Sequence, residues 1–136
     1  DDWLARVSAV ASSSTAQAFF AHRNNEACGL VWCKASDVES SVVEIFQMWV
    51  APDARGLGAG SALLERAITW AEDRGAACVR LGVTIADSPA MHLYKASGFH
   101  AVGAPEPLRE GSALMSQSME LNLGSRLARK GQGLGR

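Results

Sequence analysis

The chain has 136 residues, 48% of them hydrophobic and 20% charged, with a formal net charge of −1. That length suits one domain with a sizeable core and leaves no room for a second. The near-neutral balance removes the electrostatic case for a nucleic-acid partner. No apolar run is long enough to span a bilayer and the N-terminal stretch has no signal-peptide pattern, so a soluble, cytoplasmic protein without a membrane partner is expected. The three cysteines (Cys28, Cys33, Cys78) and three histidines (His22, His92, His100) are scattered. Buried thiols are expected, with no disulfide and no metal site.

In chain order, Asp1 to Ala11 carries Trp3, Leu4, Val7 and Val10 behind two N-terminal aspartates, which predicts a short amphipathic helix. Ser12-Ser13-Ser14 reads as a linker. Thr15 to Arg23 and Ala27 to Lys34 read as strands joined across Asn24-Asn25-Glu26, because asparagine tolerates the positive φ of a tight hairpin. After a polar connection from Ala35 to Ser41, a third strand covers Val42 to Val50, and the short connections make an antiparallel meander. Leu63, Leu64, Ala67, Ile68 and Ala71 recur at helical spacing, so a helix is predicted from about Gly58 to Arg74 with Gly75 as its stop. Cys78 to Ile85 alternates as a strand, parallel to Val42–Val50 because the helical crossover is long enough. Asp87-Ser88-Pro89 opens a second helix over about Pro89 to Ala96, ended by Gly98. Phe99 to Val102 reads as a short strand, Gly103 to Gly111 with its two prolines as a loop, and Ala113 to Leu121 as the last strand. From Gly124 onward four glycines and four basic residues without an acid predict a flexible basic tail beyond a single domain of residues 1–123.

The stretch from Val42 to Ser61 has a chemistry of its own. A buried strand runs into Pro52, and then Arg55-Gly56-Leu57-Gly58-Ala59-Gly60-Ser61 leads into the first turn of a helix. Helix N-termini present unpaired N–H groups and partial positive charge, glycines let an anion approach the backbone, and Arg55 adds a full charge. A phosphate or pyrophosphate fits there; the competing reading is a glycine turn that serves only close packing. No lysine precedes Ser61, which argues against a P-loop, and the glycine spacing departs from the dinucleotide fingerprint.

The Arg55–Gly60 loop resembles the pyrophosphate loop, Arg/Gln-x-x-Gly-x-Gly/Ala, of the GCN5-related N-acetyltransferases (GNAT). Asp87-x-x-Ala90-x-x-Leu93-Tyr94-Lys95-x-x-Gly98-Phe99 is similar to a second motif of that family, at the right separation, and the element order agrees along nearly the whole chain. The chain departs in lacking most of the family's first strand and helix before Asp1, which suggests that preceding residues were removed, and in having Asp87 where asparagine is frequent. The resemblance implies an α/β (α+β) fold with a mixed, mostly antiparallel central sheet flanked by helices and a splayed parallel strand pair. It also implies acetyl-CoA as co-substrate, no metal, and a small-molecule or peptide amine as acceptor partner, with a homodimer among the allowed assemblies.

For the site, the resemblance places the pyrophosphate on the amides of Arg55, Gly56, Leu57, Gly58, Ala59, Gly60 and Ser61, and the pantetheine arm along Met48 and Val50. The acetyl carbonyl falls near the Met48–Trp49 amides, which would stabilise an oxyanion. Asp87 is a further polar group near the cleft, although helix capping is its simpler role. Tyr94 is the implied general acid, since a phenol remains protonated at neutral pH and can supply the departing thiolate; the alternative is a buried structural tyrosine. Glu44 matches the catalytic glutamate of histone-type members, and strand alternation puts it on one face with Phe46, Met48 and Val50. The alternatives for Glu44 are a solvated carboxylate or a partner of Arg80, with a water chain as the base. A non-catalytic acyl-CoA-binding module and a nucleotide-binding domain are the competing functions.

Overall fold

A computed structural model describes residues 8–12, 15–85 and 89–124, with the backbone alone for 8–12. The described strands are β1 (Ser8–Ser12), β2 (Ala16–Arg23), β3 (Glu26–Ala35), β4 (Val42–Val50), β5 (Cys78–Thr84), β6 (His100–Pro107) and β7 (Met115–Asn122). The helices are α1 (Ala59–Asp73) and α2 (Pro89–Ala96), and a 3-10 turn covers Pro52–Ala54. The strands form one sheet in the order β1-β2-β3-β4-β5-β7-β6, in which only β4 and β5 run parallel. The expected mixed sheet is therefore present, and its meander has four strands rather than three.

The β2–β3 hairpin turns on Asn24 and Asn25 with φ of 55° and 68°. Two consecutive positive φ angles suit the right-handed twist of the flanking strands. The predicted apolar stripe of α1 is buried: Leu63, Leu64, Ala67, Ile68 and Ala71 are each at most 1% exposed. They pack on the sheet face that carries Val31, Cys33, Val43, Ile45, Val79, Leu81 and Met119. Cys33 is sealed there, donating to the Gln17 carbonyl at 3.4 Å, and burial pushes its thiol up to about 12.

Three expectations need correction. Residues 8–12 form β1 against β2 rather than part of a helix and a linker, because the exposed edge of β2 supplies a hydrogen-bonded partner that local periodicity does not register. The remainder of the Asp1–Ala11 expectation, Ser13 and Ser14, and the tail beyond Gly124 lie outside the described residues. Residues 103–107, expected in a loop, continue β6 as the outermost strand. Prolines are tolerated at an edge, and the register slips between Val102 and Glu106. Buried Gln117 holds that slip, its Nε2 donating to the Val102 and Gly103 carbonyls at 3.2 Å each. The third is the alternation of β4, which a bulge at Phe46 interrupts. No helix among the described residues is long and apolar enough to cross a membrane.

Candidate active site

Parallel pairing between β4 and β5 extends only from Val42↔Cys78 to Ile45↔Leu81. Beyond Ile45, β4 keeps its partner β3 on one side and is open on the other. Ala51 donates its N–H to the Cys28 carbonyl at 2.8 Å, which sets the phase of the ladder at this end. By antiparallel alternation the peptide groups of Trp49 and Gln47 turn toward β3, and those of Met48 and Val50 face the opening. The Val50 carbonyl is met there by the Arg55 Nε at 3.2 Å. Of the two amides expected near an acetyl carbonyl, the Met48 N–H faces the gap and the Trp49 N–H does not.

The strand is not evenly pleated. Trp32 faces Gln47 while its neighbour Cys33 faces Ile45, so Phe46 is an extra residue in β4. Such a bulge shifts the alternation by one. Val43 and Ile45 point to the helix side. After the bulge Met48 and Val50 do so as well, lying within 3.9 Å of the point where a Cβ on Gly60 would sit. Phe46 packs on Trp32 at 5.5 Å on the opposite face, with Glu44. The expected common face for Glu44, Phe46, Met48 and Val50 is therefore divided by the bulge: two of them look to each side of the sheet.

The helices close the helix-side cleft. Gly58, with φ of 93°, caps α1 in a conformation that a Cβ disfavours, and the first intrahelical bond is Ala62 N–H to Gly58 O at 3.0 Å. The N–H groups ahead of Ala62 project from the helix end toward the mouth held by Arg55 and Gly56. Gly60 lies tight against α2: a Cβ there would stand 2.9 Å from Leu93 Cδ2, so the end of that leucine would have to shift to admit one.

The Gly98-Phe99 pair explains the position of Tyr94. Gly98, with φ of 102°, ends α2, and the N–H groups of Phe99 and Gly98 return to the carbonyls of Tyr94 and Lys95 at 3.0 and 3.1 Å. That bonding pattern folds the residue after the glycine back on the last turn. Phe99 thereby lies 5.9 Å from the Tyr94 ring, centroid to centroid, and wedges it toward the cleft. Tyr94 is 5% exposed, and burial raises its pKa, so the phenol keeps its proton at neutral pH.

The result is a cavity of about 370 Å³ lined by Met48, Trp49, Val50, Arg55, Gly56, Gly60, Pro89, Ala90, Leu93 and Tyr94. Seven residues singled out from the sequence meet there. Leu57, Gly58, Ala59 and Ser61 belong to the same loop and first turn but do not line the cavity, and Asp87 lies outside the described residues. Pro89, Ala90 and Leu93 were not anticipated as lining, although Ala90 and Leu93 stand three or four positions from Tyr94 or Ala90 on one helical face.

Glu44 lines a second, larger cavity of about 780 Å³ on the other face of the sheet, with Phe46, Arg80, Gly82, Glu106, Ser116 and Ser118. The two cavities flank consecutive parts of β4, one around residues 44–46 and the other around 48–50. The larger one has no glycine loop or helix N-terminus, so the smaller is the one equipped for an anionic, chain-like ligand. Arg80 is not the partner of Glu44: its guanidinium binds Glu39 through Nη1 and Nη2 at 3.1 Å each and Glu120 through Nε at 2.8 Å. Among the described residues Glu44 makes no hydrogen bond or ion pair.

Known proteins share this fold. The sequence profile described as "Acetyltransferase (GNAT) family" matches residues 2–99. An uncharacterized N-acetyltransferase of Methanocaldococcus jannaschii is 38% identical over 85 residues, 60% of this chain and 38% of that protein. The streptothricin acetyltransferase of Streptomyces lavendulae is 41% identical over 64 residues, 47% of this chain and 34% of its own length. The chain thus spans between 25% and 38% of the length of the curated relatives it matches. A crystal structure of nourseothricin acetyltransferase superposes with a TM-score of 0.73 at 29% identity, over 80% of this chain and 66% of that one. A Bacillus anthracis protein crystallised with acetyl coenzyme A shares the fold, with a TM-score of 0.73 at 20% identity over 82% of this chain and 64% of that one. With the profile covering well over half its length, the chain belongs to the GNAT acetyltransferase family.

Proposed function

We propose that this chain binds acetyl-CoA in the helix-side cleft and transfers the acetyl group directly to a primary amine that enters from the opposite face of the sheet. The observation that carries the reading is the pair of cavities on either side of β4, which flank consecutive parts of the strand where it parts from β5. One has a glycine loop and a helix N-terminus at its mouth and, in its wall, a buried phenol; the other holds the Glu44 carboxylate, and neither group has a hydrogen-bond or ion-pair partner among the described residues.

In this reading the pyrophosphate rests on the backbone from Arg55 to Ser61, and the exposed peptide groups of Met48 and Val50 align the pantetheine arm as an added strand would. The thioester carbonyl lies by the Met48 N–H, which faces the gap and stabilises developing negative charge. The amine nitrogen bonds to the carbonyl carbon, the carbon–sulfur bond breaks, and the thiolate takes its proton from Tyr94. Before the nitrogen can attack, the ammonium gives its first proton to Glu44, directly or through water; the second nitrogen proton, shed as the amide forms, restores the Tyr94 phenol through water. Because relatives are named for streptothricin, that compound belongs among the acceptors tried, beside spermidine, kanamycin, lysine and a peptide with a free N-terminus.

Calorimetric titration with CoA is the first test, and release of free thiol from acetyl-CoA with this amine panel is the second. Failure to bind CoA overturns the assignment. Binding without thiol release for any amine favours a non-catalytic acyl-CoA-binding module.

A further inference from the structure

Glu44 stands between two cations and pairs with neither. In the β4 ladder it faces Lys34 on β3 and Arg80 on β5, both on the face of the larger cavity. Facing residues on neighbouring strands are close enough for opposite charges to pair. Yet Lys34 places its Nζ 5.6 Å from the centre of the Phe46 ring, the residue that the bulge pushes out to this face. Arg80 spends three of its N–H donors on Glu39 and Glu120. A two-point grip on a planar guanidinium fixes its direction as well as its charge.

We propose that Glu39 and Glu120 are positioning residues that hold Arg80 away from Glu44, leaving Glu44 an unpaired carboxylate able to receive a proton from the acceptor amine. The inference rests on the role given to Glu44 above and adds the device that makes the role workable. A carboxylate bound by arginine is a poorer base, because the ion pair favours the charged form and must be broken to take up the proton. Glu39 and Glu120 come from the β3–β4 connection and from β7, so the grip also ties these two parts of the chain to β5. From β6, His100 and Glu106 also come to this face; neither bonds to Glu44 among the described residues, and Glu106 adds negative charge to the same cavity. With Arg80 shared between two carboxylates, the cavity keeps Glu44 and Glu106 for a cationic guest.

The test uses the full chain with side-chain carboxyl carbons labelled, and Glu44→Gln to identify the Glu44 resonance. Its titration is followed by NMR in the wild type, in Glu39→Gln/Glu120→Gln, and in that double variant with Arg80→Met added. Released from both partners, Arg80 should turn to Glu44 and lower its midpoint by about one pH unit, and Arg80→Met should restore it. An unchanged midpoint in the double variant, or a fall that survives Arg80→Met, overturns the proposal. Should the double variant fold poorly, the exposed Glu39→Gln alone should give a smaller fall of the same sign, and no fall there counts equally against it. Thiol release from acetyl-CoA with spermidine as probe amine is read in parallel. The acid limb of its pH profile should move downward with the midpoint and the plateau should drop about tenfold. A midpoint that falls while the profile stays in place supports the positioning role and removes only the base role of Glu44.

Discussion

Replacing Tyr94 by Phe separates a catalytic hydroxyl from a structural one. Tyr94 is 5% exposed, its ring rests on Phe99, and its hydroxyl has no hydrogen bond among the described residues. Deleting a buried hydroxyl normally leaves a partner unsatisfied at a cost of about 1–3 kcal/mol, but here there is no partner to strand. Burying an unbonded hydroxyl is itself unfavourable, so Tyr94→Phe should unfold at the wild-type temperature or up to about 3 °C higher by calorimetry. The CoA dissociation constant should hold, whereas thiol release should fall about 100-fold or more with loss of the proton donor. The pH dependence follows from burial, which raises the folded-state pKa of the phenol. An unfolded tyrosine ionises near pH 10, so the wild type keeps its full stability below about pH 10 and loses some as pH rises toward the folded value. The Phe variant has no such loss and should gain on the wild type in alkaline melts. A melting temperature lowered by more than about 3 °C would show that the hydroxyl makes a structural bond, and unchanged thiol release would remove it from the chemistry.

Further consequences can be checked on the same protein. A Cβ at Gly29 would stand 2.8 Å from Leu63 Cδ1 and 3.1 Å from the Trp49 carbonyl, a backbone atom that cannot step aside. Gly29→Ala should therefore cost about 1–3 kcal/mol in urea unfolding. At Gly60 the obstacle is the flexible end of Leu93. Gly60→Ala should gain up to about 1 kcal/mol of helix propensity yet weaken CoA binding, because Leu93 is driven into the cleft; unaltered affinity would mean that this wall does not touch the ligand. Arg55→Met removes the charge at the mouth and the bond to the Val50 carbonyl. It should raise the CoA dissociation constant about tenfold at low salt, with the difference shrinking as salt is added, and leave the melting temperature within about 2 °C.

Much of the site could be read from the chain itself because its signals are local. Three glycines at alternate positions after a strand mark a helix opening, and Gly98-Phe99 after Leu93-Tyr94-Lys95 encodes the helix stop that aims the tyrosine. Both motifs work within a few residues of backbone geometry, so no distant contact is needed to recognise them. β1 and the outer half of β6 escaped notice because a strand of small residues, or one with two prolines, is stabilised by its neighbour rather than by its own propensity.

The division of β4 lies at the other extreme. Strand alternation extrapolated from the sequence put Glu44, Phe46, Met48 and Val50 on one face, and one inserted residue at Phe46 sends the first two to the face of the larger cavity and the last two to the helix side. Whether a strand bulges depends on how its partner's hydrogen bonds fall, which is a property of the pair. The same holds for Arg80, whose choice of Glu39 and Glu120 over Glu44 joins residues 41 and 40 positions away. The sequence by itself determined the family, the glycine-rich helix entry and the helix stop beside Tyr94, since each is written in short-range patterns of the chain. Which side of the sheet each group serves, and which carboxylate is left free, only the tertiary structure decided, because register and ion pairing are settled between strands that meet only once the chain has folded.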